Sequence, residues 1–171
     1  CYTCGNAISQ TAMNFCGQNL GANNPKNIKK CYYIGIAIVL IVSGFLNTFC
    51  FIAAPLLVSF FAKDPDTIAL GVGRVRFIMI IYITCNIQDL SGACLRGLGK
   101  SFRAMVIAII CTCGVRLAWV YLVFPHFGTL FWLYGAWPAS WVVSLIVSHL
   151  FMVHEYRKLI KADSSLSPVL V

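Results

Sequence analysis

The chain has 171 residues, 60% of them hydrophobic and only 11% charged, against roughly a quarter charged in soluble domains. Its formal charge of +8 is gathered into Lys26, Lys29 and Lys30, then Arg96, Lys100 and Arg103, then Arg157, Lys158 and Lys161, each group abutting an apolar block. Clusters so placed mark loops at a membrane surface, and no basic stripe with interleaved aromatics runs along one element, which excludes a nucleic-acid groove.

A hydrocarbon core about 30 Å thick is crossed by roughly 20 apolar helical residues, and the charge-free run from Cys31 to Ala62 exceeds that. Phe77–Gln88, Ala104–Val115 and Phe127–Val153 are also uncharged, with Asp89 and Arg116 breaking the apolar blocks around them. A soluble domain gives its helices a charged face to meet water, and none exists here. The sequence reads as an all-α integral membrane protein with the bilayer as its principal partner.

Five spans are expected. The first, 1–16, is short and dotted with Thr3, Asn6, Ser9, Gln10, Thr11 and Asn14; it opens on Cys1 without Met or a basic leader, as a piece lacking upstream helices would. The run Gly17-Gln18-Asn19-Leu20-Gly21-Ala22-Asn23-Asn24-Pro25 breaks it. The second span, 28–61, carries Pro55 near its end and is long enough to tilt, kink or project. Asp64 then serves as N-cap and Pro65 as first residue of the third span, 67–95. A turn at 96–101 leads to the fourth, 102–124, which stops at Pro125; the link 125–129 leads to the fifth, 130–156, with a kink at Pro138. Residues 1–161 thus form one transmembrane unit and 162–171 a disordered tail. Basic segments at 17–30, 96–103 and beyond 154 alternate with the mixed loop at 62–76 and the uncharged link. The positive-inside rule accordingly puts the C-terminus in the cytoplasm of a multi-pass protein of the cytoplasmic membrane.

Nine cysteines fall mostly inside apolar runs, where a thiol is a small hydrophobe, and the lone Cys1-x-x-Cys4 pair lacks the second pair a zinc site needs. No metal or cofactor site is expected. Leu95-Arg96-Gly97-Leu98-Gly99-Lys100-Ser101 ends like a phosphate loop, but Cys94 stands where the first glycine belongs and an apolar helix precedes it in place of a strand. Read alone, it and the Gly17–Ala22 segment are tight turns whose cations meet lipid phosphates.

The order and spacing of these two segments resemble the multidrug and toxic compound extrusion (MATE) transporters. There a GQ-x-x-GA segment follows the second helix of each six-helix lobe, and an LRG-x-G turn separates the fourth and fifth. Here Gly17, Gln18, Gly21 and Ala22 match the first, and Leu95, Arg96, Gly97 and Gly99 the second, with two helices between them. The stretch with Arg116, Trp119, Tyr121, Pro125, Tyr134, Pro138 and Trp141 resembles the end of a C-terminal lobe. The resemblance implies helices eight to twelve of a two-lobed, twelve-helix antiporter. Such a protein expels small organic, cationic amphipathic compounds in exchange for H⁺ or Na⁺, and the N-terminal lobe would be this chain's missing partner.

Asp89 is the one acidic residue expected inside a span, and an ionisable group at that depth points to function. With Gln88 and Asn86 beside it, it is the candidate for cation coupling; an interfacial carboxylate near Arg96 is the alternative. Gln10, Asn14, Asn47 and Arg116 are cavity candidates, against polar glue between helices for the amides and snorkelling for Arg116. His149 reads as interfacial, and Trp132, Trp137 and Trp141 as an aromatic belt. Two other readings remain open: a lipid-linked-precursor flippase of related fold, which calls for several buried arginines, and a small oligomeric pore or scaffold. No paired carboxylates or Ser/His/Asp grouping supports an enzyme.

Overall fold

A computed structural model describes residues 1–127 and 130–166. Helices α1 (Tyr2–Gly21), α2 (Pro25–Ser59) and α3 (Pro65–Gly97) are followed by α4 (Ser101–Ile107), a π-helical segment (Ala108–Gly114) and α5 (Val115–Leu122), which form one rod; α6 (Phe124–Phe127) and α7 (Leu130–Leu166) complete the chain. No strand occurs among the described residues. Pro25–Ser59, Pro65–Gly97, Ser101–Leu122 and Trp132–Lys161 are long and apolar enough to cross a membrane, whereas α1 is long enough but too polar. The chain is a multi-pass, all-α membrane protein.

Burial is inverted relative to a soluble bundle. On α2, Ile34, Ile38, Ile41, Phe45, Phe49, Ile52 and Leu56 are exposed at helical spacing, while Gly35, Val39, Ser43 and Asn47 face inward. Large apolar chains gain nothing by leaving lipid, so the interior goes to residues that let backbones approach. Helix α3 is the hub, packing against α1, α2, α4 and α7. Its buried residues all lie in its second half, Asn86 to Leu95, and the core built from Cys16, Ile28, Leu90, Leu95, Leu98 and Met152 therefore sits toward the end that carries the basic clusters.

Both motif segments differ from the loops expected of them. Helix α1 continues through Gly21, and α3 through Gly97. Each ends in the same cap. At the end of α3, the amides of Gly99 and Lys100 bond the carbonyls of Arg96 (2.9 Å) and Leu95 (3.0 Å), with Gly99 at φ +74°. At the end of α1, the amides of Asn23 and Asn24 bond the carbonyls of Leu20 (3.1 Å) and Asn19 (2.9 Å), with Asn23 at φ +50°. These are paired Schellman motifs, in which a left-handed residue satisfies the orphan carbonyls of a helix end. Two of the remaining motif glycines serve helix crossing: a Cβ on Gly97 would run into the Met13 carbonyl and lie 3.0 Å from the Cys16 Cβ, and one on Gly17 would lie 3.4 Å from the Gly97 carbonyl, whereas one on Gly21 would meet nothing.

Other boundaries also shift. Helix α2 begins at Pro25, not 28, and the fourth span ends at Leu122, followed by the one-turn α6 containing Pro125 where a link is expected; residues 128 and 129 lie outside the described set. Helix α7 runs unbroken past buried Pro138 to Leu166, so the first five residues of the expected disordered tail are helical, and 167–171 lie outside the described residues. Asp64 caps α3 as expected, its carboxylate accepting from the Thr67 amide (3.0 Å) and hydroxyl (2.8 Å). Those bonds hold its pKa below the usual carboxylate value, so what the cap contributes is present above the ordinary Asp pKa and is lost as pH falls through the depressed one.

Gly99→Ala forces a Cβ into a left-handed residue and is expected to cost about 1–2 kcal/mol. Gly97→Ala forces α1 and α3 apart and is expected to cost more. Thermal unfolding of the full-length protein in detergent would rank the two, and the reverse order would show that the crossing, not the cap, is the tolerant feature.

Candidate functional site

A cavity of about 530 Å³ opens at mid-depth between α3, the π segment, α5 and α7. Helix α3 supplies Asp89, Gln88, Cys85 and Tyr82; the π segment supplies Thr112 and Cys113; α5 supplies Arg116; α7 supplies Trp137 and Trp141; and Tyr2 of α1 reaches the rim. Asp89 stands eight residues before the end of α3, about 12 Å along the helix from the basic end. It is half-buried, and among the described residues its carboxylate has no hydrogen bond and no ion pair. Arg96 folds back along α3, its guanidinium 3.6 Å from where a Gly92 Cβ would be, without reaching a 4 Å ion pair with Asp89.

Arg116 does not snorkel. Its Nε donates to Ser140 Oγ (3.0 Å), and its guanidinium lies over the Trp137 ring at 4.2 Å from the centroid. Two α7 groups, one polar and one aromatic, thus hold the cation between helices. One turn earlier, Thr112 Oγ1 bonds Ser144 Oγ at 3.1 Å, so the π segment and α5 are fixed to α7 at successive turns. Widened i→i+5 turns are uncommon and recur at functional sites; here Ala108, Ile109, Thr112 and Cys113 form one wall of the cavity.

Asp89, Gln88 and Arg116 are therefore brought together, and the other expected site residues are not. Asn86 is buried on the side of α3 facing α1 and α2, where its amide donates to Ser43 Oγ (2.9 Å) and abuts Gly5; it is interhelical glue. Asn47 lines a separate hollow of about 300 Å³ with Phe51 and Met79, its buried carbonyl oxygen unpartnered. Gln10 and Asn14 lie on the exposed face of α1, Gln10 donating to Asn6 (3.4 Å). Of the motif residues, Leu95 is buried in the core and Gln18, Gly21, Ala22 and Arg96 are exposed near the basic end, none lining the cavity.

The aromatic belt expected of three tryptophans is replaced by a cavity lining for two. Trp141 is buried and meets Tyr82 edge-on (5.6 Å, 89°) and Trp137 (6.2 Å, 70°), while Trp132 stacks near Trp119 and its carbonyl accepts the Trp119 indole N–H at 2.8 Å. Trp137 and Trp141 share a face by their spacing of four, which was visible in the sequence; the partner ring Tyr82 was not. His149 also departs from an interfacial role, its Nδ1 lying 2.7 Å from the Tyr32 hydroxyl, which in turn bonds Ser91 Oγ at 2.8 Å.

The site thus offers an unpaired carboxylate beside the rings of Tyr82, Trp137 and Trp141, whose electron-rich π-faces attract organic cations. Among known proteins, the chain is 26% identical over 148 residues to a probable multidrug resistance protein NorM of Aromatoleum aromaticum, a match covering 85% of this chain and 32% of that protein. It is 24% identical over 147 residues to the probable multidrug resistance protein YoeA of Bacillus subtilis, covering 84% and 31%. The chain spans about a third of the length of these curated relatives. Its fold matches an inward-facing multidrug resistance MATE family transporter of the MOP superfamily with a TM-score of 0.79 at 18% identity, covering 90% of this chain and 36% of that one. An outward-facing MATE structure gives the same TM-score, 0.79, at 18% identity over 88% of this chain and 34% of that one. The MatE family model itself matches residues 1–122, more than two thirds of the 171, and on that ground the chain belongs to the MatE family.

Proposed function

We propose that the chain is part of an efflux antiporter, a transporter and not an enzyme, in which the 530 Å³ cavity takes part in exchanging organic cations for H⁺ or Na⁺. The observation that carries this reading is Asp89, a carboxylate at membrane depth that no described residue pairs. A buried charge is expensive unless it is compensated, and a mobile cation supplies that compensation intermittently. A drug cation and a coupling ion competing for one carboxylate would be exchanged without a resident cofactor. Tyr82, Trp137 and Trp141 suit the apolar, aromatic bodies of such drugs.

Alternating access requires two lobes, and this chain supplies the equivalent of helices eight to twelve; the remaining lobe is its partner in the whole protein. The equal resemblance of this unit to inward- and outward-facing structures supports a lobe that moves as one body. The probable multidrug resistance assignments of both relatives support the substrate class. A cytoplasmic-membrane location with the C-terminus inside rests on the three basic segments, which all fall at one end of the bundle. For a flippase of anionic lipid-linked substrates the cavity is poorly furnished: its one lining arginine, Arg116, is already committed to Ser140 and Trp137.

In the full-length protein, Asp89→Asn is expected to abolish ion-driven efflux of ethidium with unchanged abundance in the membrane; retained efflux would remove Asp89 from the coupling step. Trp137→Ala is expected to weaken ethidium binding to the purified protein by about twofold to thirtyfold, the equivalent of a cation–π contact of about 0.5–2 kcal/mol. Fluorescence titration reads this directly, and unchanged affinity would place the drug elsewhere.

A further inference from the structure

Between the basic ends of α2 and α7 lies a second, smaller hollow of about 180 Å³, remote from the transport cavity. We propose that it binds the phosphodiester headgroup of an anionic phospholipid. Lys29 lines one wall and Arg157 the other, with Tyr33 and Tyr156 beside them and Tyr32 and Met152 at the base. Two cations from distant parts of the sequence thus border one small hollow.

Nothing in the described chain neutralises them. The nearest acid on α7, Glu155, is buried and turned away, paired with Arg103 and lying 3.9 Å from Lys158. Lys29 lies over the Tyr33 ring, 5.9 Å from its centroid, and makes no ion pair among the described residues. The Tyr32 hydroxyl is spent inward on Ser91 and His149, but those of Tyr33 and Tyr156 bond no described protein group. Two cations and two free phenol donors around a small hollow make a set suited to phosphate oxygens, which take charge-assisted hydrogen bonds from such groups.

The surroundings favour a lipid over a free anion. Lys29 is one turn from the start of α2, at the basic end of the bundle. Toward the bilayer centre, Leu40 lies seven residues from Tyr33 and Leu150 seven from Arg157, so each continues the face that lines the hollow; both are exposed, 45% and 61%. Acyl chains attached to a phosphate in the hollow would lie along these two faces. Basic pockets between transmembrane helices are a recurrent means of holding acidic headgroups. The inference needs only that the chain is embedded in a membrane, and does not depend on transport.

The test uses the full-length protein in neutral detergent, titrated with phosphatidylglycerol, phosphatidylethanolamine or inorganic phosphate and followed by thermal unfolding and native mass spectrometry. Phosphatidylglycerol is expected to raise the unfolding temperature and remain bound, phosphatidylethanolamine and millimolar phosphate to do neither. Lys29→Ala with Arg157→Ala is expected to weaken phosphatidylglycerol at least about tenfold, as loss of charge-assisted bonds implies. Lys26→Ala with Lys30→Ala removes as much charge from the same end and should leave affinity nearly unchanged. Equal loss in both double variants would mean diffuse attraction and overturn the site; so would an equal response to phosphatidylethanolamine, and a full response to inorganic phosphate would overturn the lipid as ligand. The exchange Lys29→Arg with Arg157→Lys keeps both charges and should keep the lipid. Should the alanine pair fail to accumulate, Lys29→Gln alone, an exposed change, must still weaken phosphatidylglycerol for the proposal to stand.

Discussion

In hydrocarbon an apolar side chain gains little by burial, whereas an unmet polar group costs several kcal/mol. That asymmetry governs this molecule more than any single contact. The interior stripe of α7 reads Ala136, Ser140, Ser144, Ser148, Met152 and Glu155, small or polar at nearly every turn, while Ile146 and Leu150 of the same helix face outward. Inside, three buried hydroxyls find a hydroxyl or an amide on another helix: Ser43 with Asn86, Ser91 with Tyr32, Ser144 with Thr112. Each bond crosses between helices, so satisfying polarity and choosing partners are one event.

The rod formed by α4, the π segment and α5 shows how far this goes. It is joined to α7 by Arg103 with Glu155, Thr112 with Ser144, Arg116 with Ser140 and Trp119 with the Trp132 carbonyl, in strict antiparallel order from one membrane face to the other. A shift of α7 by one residue would break all of them at once. Helix α3, by contrast, buries residues only in its second half and there divides its faces, Asn86 and Leu90 turning to the core while Tyr82, Cys85, Gln88 and Asp89 border the cavity.

The spans, the basic end and the family motifs were legible because hydropathy and charge are carried by runs of residues. The partition of polar residues between cavity and interface was not, because it turns on a few tens of degrees around a helix. Asn86 and Asp89 are three apart, yet one meets Ser43 and the other the cavity. The motif segments illustrate a different loss. Glycine and asparagine signal a break, but the break is confined to the single left-handed residues Asn23 and Gly99, while Gly17 and Gly97 permit close approach within helices. Arg116 looked like a snorkeller because Ser140 and Trp137, 24 and 21 positions away, are invisible to any local pattern.

Among so many satisfied groups, the exceptions carry information. Asp89 and Gln88 line the cavity without hydrogen-bond partners among the described residues, and α1 turns Gln10, Asn14 and Gln18 outward. Lipid cannot solvate such a face, so in the intact membrane it meets water or another protein surface. On the proposed reading this is the side on which the second lobe stands, and the space between the lobes is the aqueous path. The lipid-facing side of α2, with its continuous Ile and Phe stripe, has the opposite character. On that same reading the two faces give the unit an inside and an outside within the larger transporter, with the unpaired carboxylate on the inside.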